Sequence, residues 1–594
     1  MSRQVVDSSD EPCSVWQYPL SRFQRILYIT LRSPPCDRCL ICVVIVLKND
    51  SRFTVKQEQG SRYWRAITVE ALLVASVHID ALLHNPSAYL VALKWRILGK
   101  RVRSRALFAA LLGRSRNAYR LWHRRSSARV PASAPSDSQT PIIVLVNAPP
   151  GTAAELVAAT RHSVLAQGAT LYEVGSAETP SLTEVARMID WSGRPWLLLI
   201  EPGDTISEGA IAAYRRAISS ADARIIYADD DLDNGRQRYA PHFKPNWNAE
   251  LFAHFDYVSG ACAVHANRSD LEAVAECSDW KTRLIIGMIS SGVPLHLPQM
   301  LHHRRFRPMP RLPLPPLTTG AMLPTLSVVI PTRNRVGLLR ACIEGVFASG
   351  YPALEIIVVD NDSDDPETLD YLASLTGSCR VLRHGGAFNY SAINNRAAEE
   401  AQGRLLCLLN NDVEAIEPGW LTTLAIQALR PEVGAVGARL LYPDGRIQHA
   451  GVVIGIADAA AHAHRFLRPQ DAGYFHRHNL PQFVTAVTGA CMVVEREKFL
   501  AVGGLNQTDF PVAFNDVDLC IRLNGWGWQS LYEPRATLVH HESASRGFDR
   551  DPAGAARFAR ELASLKLLCG TDRVVDPYHH PELSRQSEQF MVAI

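Results

Sequence analysis

Three apolar runs in this chain each end in a cluster of polar side chains. Val328 to Ile330 leads into Pro331, Thr332, Arg333 and Asn334; Ile356 to Val359 leads into Asp360, Asn361, Asp362 and Ser363; Leu405 to Leu409 leads into Asn410, Asn411 and Asp412. These clusters are competent to hold a metal or a nucleotide. Open α/β sheets bind ligands in the crevice outside the carboxyl ends of their parallel strands, where helix N-termini converge. The arrangement points to a nucleotide-sugar site.

The elements that must position these groups follow from the pattern. Valine, isoleucine and leucine runs without alternation predict parallel strands buried on both faces. Between the first two, Leu338, Leu339, Cys342, Ile343, Val346 and Phe347 recur at helical spacing, so the order is strand, helix, strand. Further on, Val517, Cys520, Ile521 and Leu523, closed by Gly525, predict a short helix with Asn515 near its N-cap and Asp516 in its first turn. A helix N-terminus stabilises a carboxylate, which makes Asp516 an ionised general base at neutral pH.

Pro331-Thr332-Arg333-Asn334, Val359-Asp360-Asn361-Asp362-Ser363, Asn410-Asn411-Asp412, Thr488-Gly489-Ala490-Cys491, Asn515-Asp516-Val517-Asp518 and His540-His541 follow one another along the chain. From about Thr325 to Gly547 this order resembles the family 2 glycosyltransferases. The run Phe388-Asn389-Tyr390-Ser391 to Asn394-Asn395 is similar to branches, among them rhamnosyltransferase-like enzymes, that build O-antigen and other bacterial surface polysaccharides.

The resemblance implies an α/β fold of the GT-A type, a mixed, mostly parallel sheet flanked by helices. It implies that Asp360 accepts hydrogen bonds from the pyrimidine base of a UDP- or dTDP-sugar, in a pocket lined by Pro331, Thr332, Arg333, Asn334, Asp362, Asn410 and Asn411. Asp412 corresponds to the last carboxylate of the family's Asp-x-Asp motif, where Mg2+ or Mn2+ bridges phosphates through oxygen ligands. His540 and His541 follow the last core strand, where the family places a metal-ligating histidine. Adjacent strand residues face opposite ways, so one of the two is the ligand, and His540 is the choice. Asp518 and Asn515 fall on the acceptor side. The sequence departs from the family at Asn410 and Asn515, both commonly acidic.

One base plus a metal-held leaving group implies a single inverting displacement; a retaining route needs a carboxylate nucleophile on the opposite face, and the sequence offers none. Processive synthases carry Gln-x-x-Arg-Trp, whereas Gln427-Ala428-Leu429-Arg430 is followed by Pro431. The expected activity is non-processive transfer to a hydroxyl of a glycan or lipid-linked acceptor in surface polysaccharide synthesis. The competing reading is a non-catalytic glycan-binding or scaffold protein. A nucleotidyltransferase would need a glycine- and lysine-rich triphosphate loop, and none is present.

The landmarks recur upstream. Pro195 to Asp204 parallels Arg404 to Asp412, Ser259-Gly260-Ala261-Cys262 parallels Thr488 to Cys491, and Pro298 to His303 parallels Pro534 to His541. The upstream copy lacks a counterpart of Asp360 and has Asp279-Trp280-Lys281 where the base is expected, although Asp204 and Asp229-Asp230-Asp231 remain. It reads as a degenerate domain, with a second active transferase as the alternative.

At 594 residues several folding units are expected. Composition suggests a basic, mostly helical region 1–125, a linker 126–140, the degenerate domain 141–306, a proline-rich spacer 307–324, the catalytic domain 325–550, and a C-terminal helix and tail 551–594. The net charge of +3 is unevenly spread, since His84 to Arg129 carries twelve Lys and Arg and no Asp or Glu. Interleaved aromatic and aliphatic residues there suit basic amphipathic helices on an anionic membrane or near a lipid-linked acceptor, with a solvated helical arm as the alternative. Nucleic acid is not expected, for want of any recognised motif. Cys36, Cys39 and Cys42 lack a nearby second pair, so structural zinc is not expected. No run is long enough to span a membrane and no secretory signal stands out, which places the protein in the cytoplasm or on the inner face of the membrane.

Overall fold

The computed structural model describes residues 15–19, 26–30, 56–127, 140–175, 180–542 and 552–594. The chain divides into two units, residues 1–67 and 68–594. In the first, β1 (Val15–Pro19) and β2 (Ile26–Thr30) pair antiparallel. Cys36, Cys39 and Cys42 and most of the 126–140 stretch lie outside the described residues.

The second unit contains two large mixed sheets flanked by helices. The upstream sheet is built from β3 (Ile142–Asn147), β4 (Thr170–Val174), β5 (Trp196–Ile200), β6 (Thr205–Ile206), β7 (Ile225–Asp233), β8 (Arg238–His242), β9 (Cys262–Val264) and β10 (Leu295–Arg304). The remaining strands are β11 (Leu326–Thr332), β12 (Leu354–Asp360), β13 (Arg380–Arg383), β14 (Leu405–Leu409), β15 (Val413–Ala415), β16 (Val433–Leu441), β17 (Ile447–His449), β18 (Val452–Ile454), β19 (Ala460–His462), β20 (Gln482–Val484), β21 (Cys491–Glu495) and β22 (Gln529–His540). All of these except the separate β18–β19 pair form the downstream sheet.

The upstream order is β4-β3-β5-β9-β7-β10-β6 and the downstream order is β13-β12-β11-β14-β21-β16-β22-β15. With β3 laid on β11, the two coincide strand for strand, and β13 is an added edge. Directions coincide too: β5–β9 and β14–β21 are antiparallel, β7–β10 and β16–β22 parallel, and β6–β10 and β15–β22 antiparallel. Shared order and direction support the tandem arrangement expected from the repeated landmarks. The sheets are less parallel than expected, because β9 and β21 run against both of their neighbours.

The apolar runs are continuous because both faces are covered. Val328 and Ile330, Ile356 and Val358, and Leu405, Cys407 and Leu409 enter one core, while Val329, Ile357 and Val359, and Leu406 and Leu408 enter the core on the other face. Val346 and Ile343 of the helix Val336–Ala348 complete the first core. The two sheets are joined by reciprocal bonds between Asn248 and the backbone of Phe483, 2.8 and 3.1 Å, and by Glu250–Arg430 at 2.7 Å.

Helices Lys56–His84, Pro86–Ile97, Arg101–Gly113 and Ala118–Ser127 precede the sheets. The last is an anchor rather than a membrane-facing helix: Tyr119 and Trp122 are buried with Phe243, Tyr119 Oη donates to Asp231 (2.5 Å) and Trp122 Nε1 donates to Glu582 (2.6 Å). The C-terminal stretch also folds back, placing Leu583 and Phe590 in that same cluster. No helix among the described residues is long and apolar enough to cross a membrane.

Candidate active site

At the carboxyl ends of β11 and β14 lies a cavity of about 1090 Å³, lined by Pro331 to Gly337, Asn410 to Asp412, Thr488 to Ala490, Asn515, Asp516 and His540, among others. The β11 end is tied to its neighbours by side-chain amides. Asn411 Nδ2 donates to Thr332 Oγ1 (3.0 Å), and Asn334 Oδ1 accepts from the backbone N–H groups of Asp364 and Asp365 (3.0 and 3.1 Å). Asn334 and the following Arg335 both adopt left-handed φ, 55° and 61°, a conformation uncommon for arginine and characteristic of functional loops. Arg333 and Arg335 are exposed where they line the cavity.

Asp360 and Asp362 lie beside this cavity and not in its wall. Asp360 is fully buried; one oxygen accepts from Ser363 N–H (3.0 Å) and the other lies 3.4 Å from Arg383. Asp362, with φ of 54°, accepts from Gly386 N–H (2.8 Å). The base-binding role expected of Asp360 therefore requires the loops around Arg383 and Gly386 to admit the ligand.

Asp412 and His540 come together because β15 pairs with β22, setting Val413 opposite His540. Asp412 Oδ1 is buried with no hydrogen-bond partner, and lies 3.1 Å from His540 Nε2. The tautomer of His540 follows from its other side. Gln448 turns its amide nitrogen to Glu542 (3.2 Å), so its Oε1 faces His540 Nδ1 (2.7 Å), which must carry the proton. The Asn410 amide also approaches Nε2, at 3.4 Å. His540 Nε2 thus faces the Asp412 carboxylate oxygen across 3.1 Å at the cavity wall. One hard carboxylate oxygen and one imidazole nitrogen fit a divalent cation such as Mn2+. Burial alone would raise the Asp412 carboxyl, but the neighbouring His540 outweighs it and holds the carboxyl below the ordinary range. His541 faces away and pairs with Glu414 at 3.1 Å.

Asp516 occupies the first turn of the helix Asn515–Gly525. Phe514, at φ of 62°, takes the N-cap position, so Asn515 is one place further in than expected; its side chain donates to Val512 O (3.0 Å). Asp516 accepts from Gly489 N–H (2.9 Å) and Val517 N–H (2.8 Å). The helix terminus does not dominate its ionisation, however. Burial raises the carboxyl above its ordinary value, with the backbone N–H groups of Gly489 and Val517 opposing. Asp518, expected on the acceptor side, is buried outside the cavity wall and bound to Arg522 at 2.7 Å, as a side chain two places along a helix must diverge from Asp516.

Gln448, Glu542, Tyr390 and Arg557 were not among the residues expected in the site. Glu542 had a signal, since it follows His540 by two along an extended chain. Gln448 had none: it sits in the three-residue β17, remote in sequence. Tyr390 Oη donates to Gly489 O (2.8 Å), and Arg557 reaches the cavity from the C-terminal helix Pro552–Cys569.

The upstream counterpart of this site is filled by its own side chains. Lys281 stands where Asp516 stands downstream and forms an ion pair with Glu201, the counterpart of Asn410. Arg304 pairs with Asp204 (3.4 Å) and lies against Gly260, where any Cβ would collide with the guanidinium. Burial lifts the Asp204 carboxyl to about 6 despite Arg304. The three surviving aspartates are also engaged: Asp229 with His296 and His580 (both 2.9 Å), Asp230 with Lys244 (2.8 Å) and Arg307, and Asp231 with His303 (2.7 Å). Glu582 N–H donates to His580 Nδ1 (3.0 Å), and His580 Nε2 lies 2.9 Å from Asp229, which sets the C-terminal segment against β7.

A mixed α/β sheet with an acidic, amide-rich cavity at its strand ends is the architecture of nucleotide-diphosphosugar transferases of the GT-A type. Residues 327–501 match the model of Glycosyl transferase family 2, so the downstream sheet lies in a domain of that family. It is similar to the uncharacterized protein y4gI of Sinorhizobium fredii, 36% identical over 67% of this chain and 49% of that protein. It is also similar to the O-antigen biosynthesis protein RfbC of Myxococcus xanthus, 33% identical over 64% of this chain and 33% of that one. A third relative is the N-acetylglucosaminyl-diphospho-decaprenol L-rhamnosyltransferase of Mycobacterium tuberculosis, 29% identical over 39% of this chain and 80% of that one. The chain spans about half the length of the first of these and a third of the second.

Proposed function

We propose that the downstream domain transfers a sugar, with inversion, from a UDP- or dTDP-sugar to a hydroxyl of a glycan or lipid-linked acceptor during bacterial surface polysaccharide assembly. The observation that carries this reading is the content of one cavity: Asp412 and His540 facing one another at 3.1 Å, and a further carboxylate, Asp516, at the N-terminus of a helix. Asp516 takes the proton of the acceptor hydroxyl as that oxygen attacks the anomeric carbon. Asp412 and His540 would hold Mg2+ or Mn2+, which when bound neutralises charge on the departing diphosphate. Thr332, Asn334 and Asn411 keep the β11 and β14 ends in register around the nucleotide, and Arg333 supplies positive charge at the cavity.

The M. tuberculosis relative's name gives rhamnosyl transfer to a diphospho-decaprenol acceptor, which favours dTDP-rhamnose and a lipid-linked acceptor here. The upstream copy, its counterpart site closed by Arg304 and Lys281, serves packing and assembly. Incubating the purified chain with a panel of UDP- and dTDP-sugars and Mn2+ tests the reading. One donor should be consumed with release of nucleoside diphosphate, and NMR of the product should show the inverted anomer. A retained anomer would reject the mechanism, and inertness toward every donor would favour the scaffold reading.

A further inference from the structure

Among the described residues, the N-terminal helices expose many large apolar side chains. Between residues 69 and 102 the exposed large apolar side chains include Leu72, Ile79 and Leu83 on one helix, Leu90 and Ile97 on the next, and Val102 on the third, with Leu83 and Ile97 about three-quarters exposed. Val69, Leu72, Ile79 and Leu83 recur at three- and four-residue steps and multiples of them, so they form a stripe along the helix. A contiguous exposed apolar stripe of this kind marks an interaction surface. Exposed cations lie among them: Lys94, Arg96, Lys100 and Arg105. No Asp or Glu occurs from residue 81 to 136, and the two nearby acids are engaged, Glu70 with Arg125 (2.9 Å) and Asp80 with Ser115 (2.5 Å).

We infer that this helical face docks on an anionic phospholipid surface. Apolar side chains entering the acyl boundary, ringed by cations that meet lipid phosphates, are the combination that holds a helix in a membrane interface. A nucleic acid would match the charge and leave the leucines without partners. The helix Ala118–Ser127 does not take part, because its aromatic side chains are spent on the anchor to Phe243, Asp231 and Glu582. That anchor couples the lipid-facing helices to the domains that follow. The inference does not depend on sugar transfer, since it is read out by binding alone.

The test is co-sedimentation of the full chain with vesicles of equal parts phosphatidylglycerol and phosphatidylethanolamine, against vesicles of phosphatidylcholine. The protein should sediment with the anionic vesicles, and high salt should weaken the binding. Lys94→Glu with Lys100→Glu should weaken it about tenfold or more, and Leu90→Glu with Ile97→Glu should abolish it. Both variants should keep the parent's unfolding temperature, as all four positions are exposed. Equal binding by either double variant and the parent would overturn the proposal. So would a self-association in analytical ultracentrifugation that Leu90→Glu with Ile97→Glu abolishes while no vesicle binding is seen, since the face would then belong to a second copy.

Discussion

Asp516 has the surroundings of a proton acceptor whose basicity is raised by burial and restrained by two backbone N–H groups. Only its ionised form can take a proton, so turnover should fall as pH drops through a value above the ordinary carboxylate range, and the profile of kcat/KM against pH measures where. Asp516→Asn should lower kcat by about 10²–10⁴-fold while nucleotide affinity, followed by calorimetry, stays within a few-fold. Normal turnover by that variant would remove Asp516 from the mechanism. A separate expectation concerns Gln448, which fixes the His540 tautomer from behind. Gln448→Leu should weaken Mn2+ binding about 10–100-fold, measured by electron paramagnetic resonance of free Mn2+. Unchanged affinity would mean that His540 does not need that orientation.

At the scale of elements, the approach to Asp516 is held from outside its own helix. The Glu561 side chain, buried on the C-terminal helix Pro552–Cys569, accepts from Val512 N–H (3.1 Å) and Ala513 N–H (3.0 Å), in the segment that leads into Asn515. Glu561→Leu removes the partner of both part-buried donors, at a cost of up to about 1–3 kcal/mol for each group left unsatisfied. The unfolding midpoint should therefore fall, and kcat should fall with it as the segment before Asp516 loosens. A variant with the parent's midpoint and turnover would show that the helix is dispensable to the site. The C-terminal helix thus contributes to the cavity wall through Arg557, although 551–594 reads in sequence as an appendage.

At the scale of the whole molecule, two copies of one strand order have diverged by what fills the crevice at their strand ends. Downstream, polar groups surround open space; upstream, Arg304 and Lys281 occupy it. The division of labour predicts that Lys281→Ala leaves turnover within about twofold and costs no more than about 1 kcal/mol, the ordinary worth of a part-exposed ion pair. Asp412→Asn should abolish turnover. Loss of activity in Lys281→Ala, with unfolding unchanged, would give the upstream copy a catalytic part.

The three strand ends, the position of Asp412, the candidate base and the existence of a second copy could all be read along the chain, because each rests on local order: an unbroken apolar run, the polar cluster that follows it, and a helix start. Strand direction was less legible, since β9 and β21 are apolar whichever way they run. Pairings between distant residues left no local trace. Gln448 reaches His540, Glu561 reaches Val512 and Arg304 closes on Asp204 only once the sheets have formed, and Asp518 is turned from the cavity by helix geometry joined to its bond with Arg522. Likewise, composition marked 84–129 as uniformly basic and apolar, but tertiary packing divided it, burying Tyr119 and Trp122 and leaving Leu90 and Ile97 exposed. Apolar and polar patterns along a chain determine which residues can be buried or can react; which of them face one another is decided by contacts that close over hundreds of residues.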